Sequence, residues 1–526
     1  MREPQEFSLS PSDKVALVDG ESGVVTTYAR LFGRADRAAA WLLSLGLEPG
    51  QGIAVLLENR PELLEIALAA RRAGLYYTVL STHLNVEEVS YIVGDCGARL
   101  FITSAGLLGG PEAGGVVLGE AVIRVALDDP PGDWLSYETA LAQTPSLPDF
   151  PQRPLGRDLL YSSGTTGRPK GVKRPLTAHA DRLLPDPEVE GWRRKFGFDA
   201  ESVYLSTAPL YHAAPLRYAM RLLGLGGTIV VMPRFAAQTA LALIERHRVT
   251  HSQWVPTMFQ RLLKLPAEVR EGYDLSSLQV AVHAAAPCPV EVKQAMLDWW
   301  GDVVHEYYAG SEGVGATSIS PQEWRTHPGS VGRAMAGVIH VLDDDGVELP
   351  PGELGTIFFE GVASFSYLND PEKTRSMYNG LGWATYGDIG HVDADGYLYL
   401  SDRRSDLILS GGVNVYPQEI ENAIAQHPAV EDVAVVGVPD EEFGEVPKAV
   451  VQLRAGHLAD GALAAALGDF CAARLARFKL PRSVVFQARI PRLDNGKLLR
   501  RVLKDRYRLE PLAGYPMRPE SASVRA

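Results

Sequence analysis

Residues 162–171 hold Ser162, Ser163, Gly164, Thr165, Thr166, Gly167, Lys170 and Gly171: four hydroxyls, three glycines and a lysine within ten positions. Asp158, Leu159, Leu160 and Tyr161 just before them read as the end of a buried strand. A Gly-rich, hydroxyl-rich turn after a strand can aim successive backbone N–H groups into one concavity. The missing Cβ of glycine lets an anion approach the main chain. The hydroxyls add donors and Lys170 a mobile positive charge, so the chemistry is that of a phosphate cradle. It is not a Walker loop, whose lysine directly follows the last glycine and precedes Ser or Thr; here Lys170 stands three after Gly167 and precedes Gly171.

The elements that must position this cradle alternate. Residues 53–57, 75–80 and 99–103 read as strands, and 62–73 and 86–96 as helices, with Pro61 at a helix start and Gly74 at its end. Such alternation predicts a parallel α/β sheet, with 104–156 as loops. The pattern returns: strands at 228–232, 249–255, 279–282 and 303–307, helices at 238–247, 256–264 and 289–300. Between about 330 and 400, short strands at 338–342, 355–360 and 397–400 separated by Asp-Gly and Pro-Gly turns predict a small antiparallel unit. Past the charged run 402–406 a compact α+β module follows, with helices near 417–424 and 463–476 and strands at 433–438 and 449–453. The last 20 or so residues read as a poorly ordered tail.

A chain of 526 residues exceeds a single core and predicts two or more domains. With 46% hydrophobic and 22% charged residues it is an ordinary globular composition. A formal charge of −13 and the lack of a Lys/Arg block argue against nucleic acid as partner. Three widely spaced cysteines suggest neither a metal cluster nor a disulfide framework. The start MREPQEFSLS has no apolar signal core and no run of 18 apolar residues occurs, so no membrane span and a cytoplasmic location are expected.

The string Tyr161 to Val172 resembles the phosphate loop of the adenylate-forming superfamily: acyl-CoA synthetases, luciferases and peptide-synthetase adenylation domains. Further segments resemble that superfamily in the same order, over about residues 10–505. In Tyr308-Ala309-Gly310-Ser311-Glu312 the resemblance places Tyr308 near adenine, Ser311 on phosphate and Glu312 on Mg²⁺, with Ala309 in place of the usual Gly. Ala284-Ala285-Ala286-Pro287 resembles the small-residue loop along adenine, with Ala285 and Ala286 beside the ring. Leu210-Tyr211-His212 resembles the segment at the carboxylate pocket, giving His212 the task of positioning the acid. Asp388, in Tyr386-Gly387-Asp388, matches the residue that bonds the ribose hydroxyls, although Tyr386 stands where Thr is usual. Arg403 matches a ribose and phosphate contact. Gly411 and Gly412 match the loop that passes pantetheine, and Lys497, after Asp494-Asn495-Gly496, matches the C-terminal lysine of the adenylation transition state.

The resemblance implies an α/β fold: a large N-terminal domain (1–402) of two α/β layers plus a small β-barrel-like unit, a hinge at 403–406, and a smaller mobile C-terminal α+β domain (407–526). Ser405 stands at the hinge where Asp or Lys is usual. It implies ATP, Mg²⁺ and CoA, with acyl-AMP made first and the thioester second. Lys170, Glu312, His212 and Lys497 are the catalytic set. The acid is of fatty or aryl/cinnamyl type. Peptide-synthetase membership is disfavoured, because no Asp stands near 210–214 to pair an amino group and no carrier domain follows. Two alternatives stay open: another acceptor or oxyanion (amide formation, nitrite activation), and a nucleotide-binding sensor without turnover. The stretch Trp254 to Met258 reads equally as pocket wall or core. The resemblance is compatible with a homodimer.

Overall fold

The computed structural model describes residues 13–108, 115–145, 147, 152–162, 169–181, 186–403, 406–410, 413–493, 496 and 498–517. The fold grows from two stacked sheets. One has six parallel strands among the described residues, in the order Leu135–Ser136, Ile123–Leu127, Ala98–Ser104, Gly52–Leu56, Tyr76–Val79, Arg157–Asp158. The other has nine, in the order Arg333–Ala336, Ala316–Ile319, Val304–Ala309, Val280–His283, His251–Trp254, Val203–Ser206, Thr228–Val231, Val15–Asp19, Val25–Thr27. Its middle is parallel and both ends are antiparallel. The two sheets are therefore not successive halves of the chain, because Val15–Asp19 pairs with Thr228–Val231.

Side-chain alternation along the strands assigns the layers. Ile53 and Val55 share one core with Leu17, Tyr204, Ile229 and Val282, filled by the helices Tyr28–Ser44, Glu62–Ala73 and Ala213–Leu225. Ala54 and Leu56 face outward to Val86–Asp95. Leu205, Val230 and Ala281 face the opposite way, to Ala237–His247, Pro256–Leu263 and Val290–Trp300. Five layers, α/β/α/β/α, result. Their helices end where the sequence expects: Glu62–Ala73 carries Glu62 and Glu65 in its first turn, Arg71 and Arg72 in its last, and a left-handed cap at Gly74 (φ 77°). Val86–Asp95 opens on a reciprocal Asn85/Glu88 capping box.

The small antiparallel unit is present as Val338–Leu342, Gly355–Glu360, Asp388–Val392 and Leu398–Arg403. The C-terminal module centres on Val430–Asp440 paired with Gly444–Leu453, flanked by Pro417–Ala425, Gly461–Ala472 and Arg500–Leu509.

Three expectations change. Residues 104–156 are not only loops, since Ile123–Leu127 extends the parallel sheet and Tyr137–Gln143 is a helix starting on a Ser136 cap. Residues 158–161 are not one strand. Arg157–Asp158 joins the six-stranded sheet, while Leu160–Ser162 turns away to pair antiparallel with Lys170–Lys173. Of the tail, residues 509–517 are ordered: Met517 is 3% exposed, Tyr515–Pro516 pairs with Ser483–Phe486 and the buried Lys448 ammonium donates to the Ala513 carbonyl (2.5 Å), while residues 518–526 lie outside the described residues. A buried ammonium without acceptors would be costly, so the tail supplies one.

Candidate active site

The central parallel strands of the nine-stranded sheet end together, and the loops at those ends meet the C-terminal module across a cleft of about 1370 Å³. Ala284, Ala285, Ala286 and Pro287 line it just after Val280–His283; Tyr307, Tyr308 and Ala309 line it from the next strand. Ala285 is held at φ 75°, a left-handed conformation costing a non-glycine residue about 1–2 kcal/mol. Strain of that kind at a cleft-facing loop is what a preformed binding surface stores. Beneath the loop a buried ionic group supports it: Lys293 Nζ lies 2.5 Å from Glu306 Oε2, with His283 Nε2 at 3.4 Å. Burial pushes the Glu306 carboxyl up against the pull of Lys293, while burial and the Lys293 charge push His283 well below its ordinary value.

Tyr308 and Asp388, 80 positions apart, meet directly: the Tyr308 hydroxyl donates to Asp388 Oδ2 at 2.5 Å. Asp388 also lines the cleft, and its backbone lies opposite that of Arg403 in the antiparallel pair. The Arg403 side chain lies outside the described residues. Tyr386, two residues earlier, is where the sequence departs from the superfamily pattern, and its role is structural. Its ring meets Tyr308 edge-on at 5.5 Å, its hydroxyl donates to the Gly315 carbonyl (2.9 Å), and a Cβ at Gly310 would run into it.

Ser311, Glu312 and Lys170 gather beyond Tyr386. The Tyr367 hydroxyl donates to Glu312 Oε1 (2.8 Å), and Lys170 Nζ sits 5.8 Å over the Tyr367 ring while pairing with Asp370 Oδ2 at 3.0 Å. Lys170 and Glu312 are thus joined through one tyrosine. The backbone of Ser162 faces Lys170 in the hairpin; its side chain, and all of Ser163, Gly164, Thr165, Thr166 and Gly167, lie outside the described residues. His212 opens the helix Ala213–Leu225 and stacks obliquely on Tyr211 at 4.6 Å. Among the described residues that line the cleft it does not appear.

Mg²⁺ takes one or two carboxylates and completes its shell with phosphate oxygens and water. Glu312, a carboxylate fixed by a tyrosine hydroxyl beside a lysine, fits that donor set. Among the described residues no group of three or more His, Cys, Asp or Glu forms an all-protein metal cage.

Across the cleft, Gly496 (φ 77°) packs so tightly on Thr257 that a Cβ there would collide with the threonine. Lys497 itself, Gly411, Gly412 and Ser405 lie outside the described residues; Ser410 and Val413 on either side of the glycine pair face each other as strand partners. Of the ambiguous stretch, Trp254 is core (1% exposed), whereas Pro256 and Thr257 face the cleft.

Sequence reasoning missed Tyr367, Asp370 and the arginine Arg217. The signal for Arg217 was available: a charge inside the apolar helix AAPLRYAMRLLGL.

Comparison with known proteins gives the family. The AMP-binding enzyme model matches residues 5–367 and the AMP-binding enzyme C-terminal domain model residues 419–497. The long-chain-fatty-acid–CoA ligase FadD13 of Mycobacterium tuberculosis is 32% identical over 512 residues, covering 96% of this chain and 97% of the relative. The ATP-bound MatB of Rhodopseudomonas palustris superposes with a TM-score of 0.81 at 30% identity, covering 96% and 99%. The amide bond synthetase McbA of Marinactinospora thermotolerans superposes with a TM-score of 0.80 at 26% identity, covering 96% and 98%. Among the described residues no helix is long and apolar enough to cross a membrane. This chain is an enzyme of the AMP-binding family.

Proposed function

We propose that the chain is an AMP-forming acid–CoA ligase. In the first step the acid's carboxylate oxygen attacks the α-phosphorus of ATP. The new O–P bond forms as the bond to the β-phosphate breaks, and pyrophosphate leaves. In the second step the CoA thiolate attacks the acyl carbonyl and AMP leaves, its phosphate oxygen taking the electron pair. Little covalent chemistry falls to the protein, which must position and neutralise charge.

The observation that carries this reading is the meeting at one cleft of the Ala284–Ala286 loop, the Tyr308–Asp388 hydrogen bond and Gly496, the residue before Lys497. On this reading adenine lies along Ala285 and Ala286, Asp388 accepts from the ribose hydroxyls, and His212 orients the acid. Ser311 and the hydroxyls of 162–166 hold phosphate with Lys170. Mg²⁺ on Glu312 would supply charge neutralisation at the phosphates. Lys497 offsets the charge that develops between carboxylate and α-phosphate, a point charge suited to a transient position. For the second step the C-terminal module rotates about 403–406 and brings Gly411 and Gly412 to the thioester path, a hinge motion at a few element-terminal residues.

The likeness to an amide bond synthetase supports a second acceptor class, in which an amine captures the adenylate. Pyrophosphate and AMP release against a panel of fatty, aryl and cinnamyl acids, with CoA, with amines and with neither, separates the two. CoA-dependent turnover with a thioester identified by mass supports the ligase. Amide products and indifference to CoA would replace it.

A further inference from the structure

Behind the phosphate side of the site lies a buried ionic cluster that none of the assigned roles uses. Arg217 sits on the helix that begins after His212, one turn in from its start. Its Nη2 lies 2.6 Å and its Nε 3.1 Å from Asp158 Oδ2, a forked pair with both side chains largely buried (15% and 8% exposed). The remaining capacity of the guanidinium is spent on the main chain: Nη1 and Nη2 both lie 3.2 Å from the Ser311 carbonyl oxygen.

Arg174 completes the cluster, with Nη2 at 3.6 Å from Asp158 Oδ1 and Nη1 at 3.1 Å from Glu188 Oε1. Arg221, one helical turn after Arg217, takes the other Glu188 oxygen at 2.8 Å. Burial alone would raise the Asp158 carboxyl, but Arg217 and Arg174 hold it well below the usual carboxylate range, so the cluster is ionised.

The chain positions of these groups give the cluster its meaning. Asp158 is two residues before Leu160–Ser162, the strand that enters the phosphate loop, and Arg174 directly follows Lys170–Lys173, the strand that leaves it. Ser311 precedes Glu312. One arginine therefore ties the base of the phosphate hairpin to the carbonyl beside the Mg²⁺ carboxylate, from the side away from solvent.

We propose that Arg217 is a positioning residue for adenylation: through the Ser311 carbonyl and Asp158 it fixes Glu312 and the phosphate hairpin in register. The proposal rests on the adenylating reading above for its chemistry and on the hydrogen bonds for its geometry. A planar fork can serve carboxylate and carbonyl at once, whereas a lysine ammonium is a single point that cannot span both. Arg221 serves as the control, since it belongs to the same cluster but pairs with Glu188 rather than with Ser311 or Asp158.

The test compares wild type with Arg217→Lys, Asp158→Asn and Arg221→Lys, each checked for folding by melting temperature. In Arg217→Lys the KM for ATP and the Mg²⁺ concentration for half-maximal adenylation should each rise about tenfold, because misplaced groups forfeit preorganised contacts. Thioester formation from pre-made acyl-AMP and CoA should stay within about twofold, and Arg221→Lys should match wild type in both steps. Asp158→Asn, which keeps the shape and removes the charge, should shift ATP and Mg²⁺ dependence in the same sense as Arg217→Lys. A folded Arg217→Lys with unchanged ATP and Mg²⁺ dependence overturns the proposal, as does an equal fall in both steps or an equal effect of Arg221→Lys. If wild type adenylates no acid, the ligase reading fails separately. The ATP·Mg-induced rise in melting temperature then decides: smaller in Arg217→Lys than in wild type and Arg221→Lys supports the positioning role, and an equal rise in all three overturns it.

Discussion

The interior of each wall of the cleft and the contact between the two walls are held by different means. Within each wall the support is buried and ionic: Lys293 with Glu306 under the Ala284–Ala286 loop and Arg217 with Asp158 on the large side, Arg500 with Glu421 (10% and 8% exposed) in the C-terminal module. Between the walls, beside the packing of Gly496 on Thr257, the polar contacts are more exposed: Lys264 pairs with Glu431 at 43% and 31% side-chain exposure, and Gln426 reaches Glu291 at 3.3 Å. Removing one partner of a buried pair costs about 3–5 kcal/mol, whereas an exposed pair contributes about 0.2–1 kcal/mol. Each wall is thus firmly built while the polar contact between them is weak, as the proposed two-step reading requires of a module that changes the face it presents.

The sharpest way to break this contrast is at Lys497. Lys497→Ala should lower acyl-AMP formation by about 10³, the scale of losing one preorganised charge at the transition state. Conversion of pre-made adenylate should stay near wild type. Adenylation at near wild-type rate in a quenched-flow assay would show that the C-terminal side contributes nothing to the first step. Within the large wall, Lys293→Met should lower stability by about 3–5 kcal/mol by stranding Glu306. The double variant with Glu306→Gln should recover much of it in a denaturant melt. Full stability of the single variant would remove the ionic support from the account.

Acid should weaken the same wall. Burial, aided by the Lys195 and Lys293 charges, holds His305 down to about 4 from an ordinary 6.5. Below pH 6.5 the unfolded chain takes up a proton that the folded chain refuses, so stability rises with pH between about 4 and 6.5 and is fully present above that. The share from His305 is on the order of 3 kcal/mol. His305→Gln should flatten the pH dependence of the melting temperature by that share, and an unchanged profile would contradict the assignment. The smallest effect belongs to the exposed contact: Lys264→Ala should cost less than about 1 kcal/mol and nothing measurable at high salt. A larger, salt-resistant loss would mean the two walls are locked.

The sequence showed most clearly what is local. The helix Glu62–Ala73 was readable because Pro61, its charged ends and Gly74 all act within a few residues. The family was readable because its motifs are short strings, each held within a few neighbouring residues. What escaped is long-range. Arg217 meets Asp158 59 positions earlier and Ser311 94 later, and the turn after Asp158 that moves Leu160 to another sheet depends on a partner strand at 170–173. The order of the tail likewise rests on Lys448 needing the Ala513 carbonyl, 65 positions away. No window of neighbouring residues holds those facts.

The most direct test of acyl-adenylate chemistry follows an atom. With a substrate acid labelled by ¹⁸O in its carboxylate, turnover with ATP and CoA should place one labelled oxygen in the phosphate of AMP and none in pyrophosphate. Label in inorganic phosphate with ADP as product, or no label in AMP, would contradict attack at the α-phosphorus and with it the central claim.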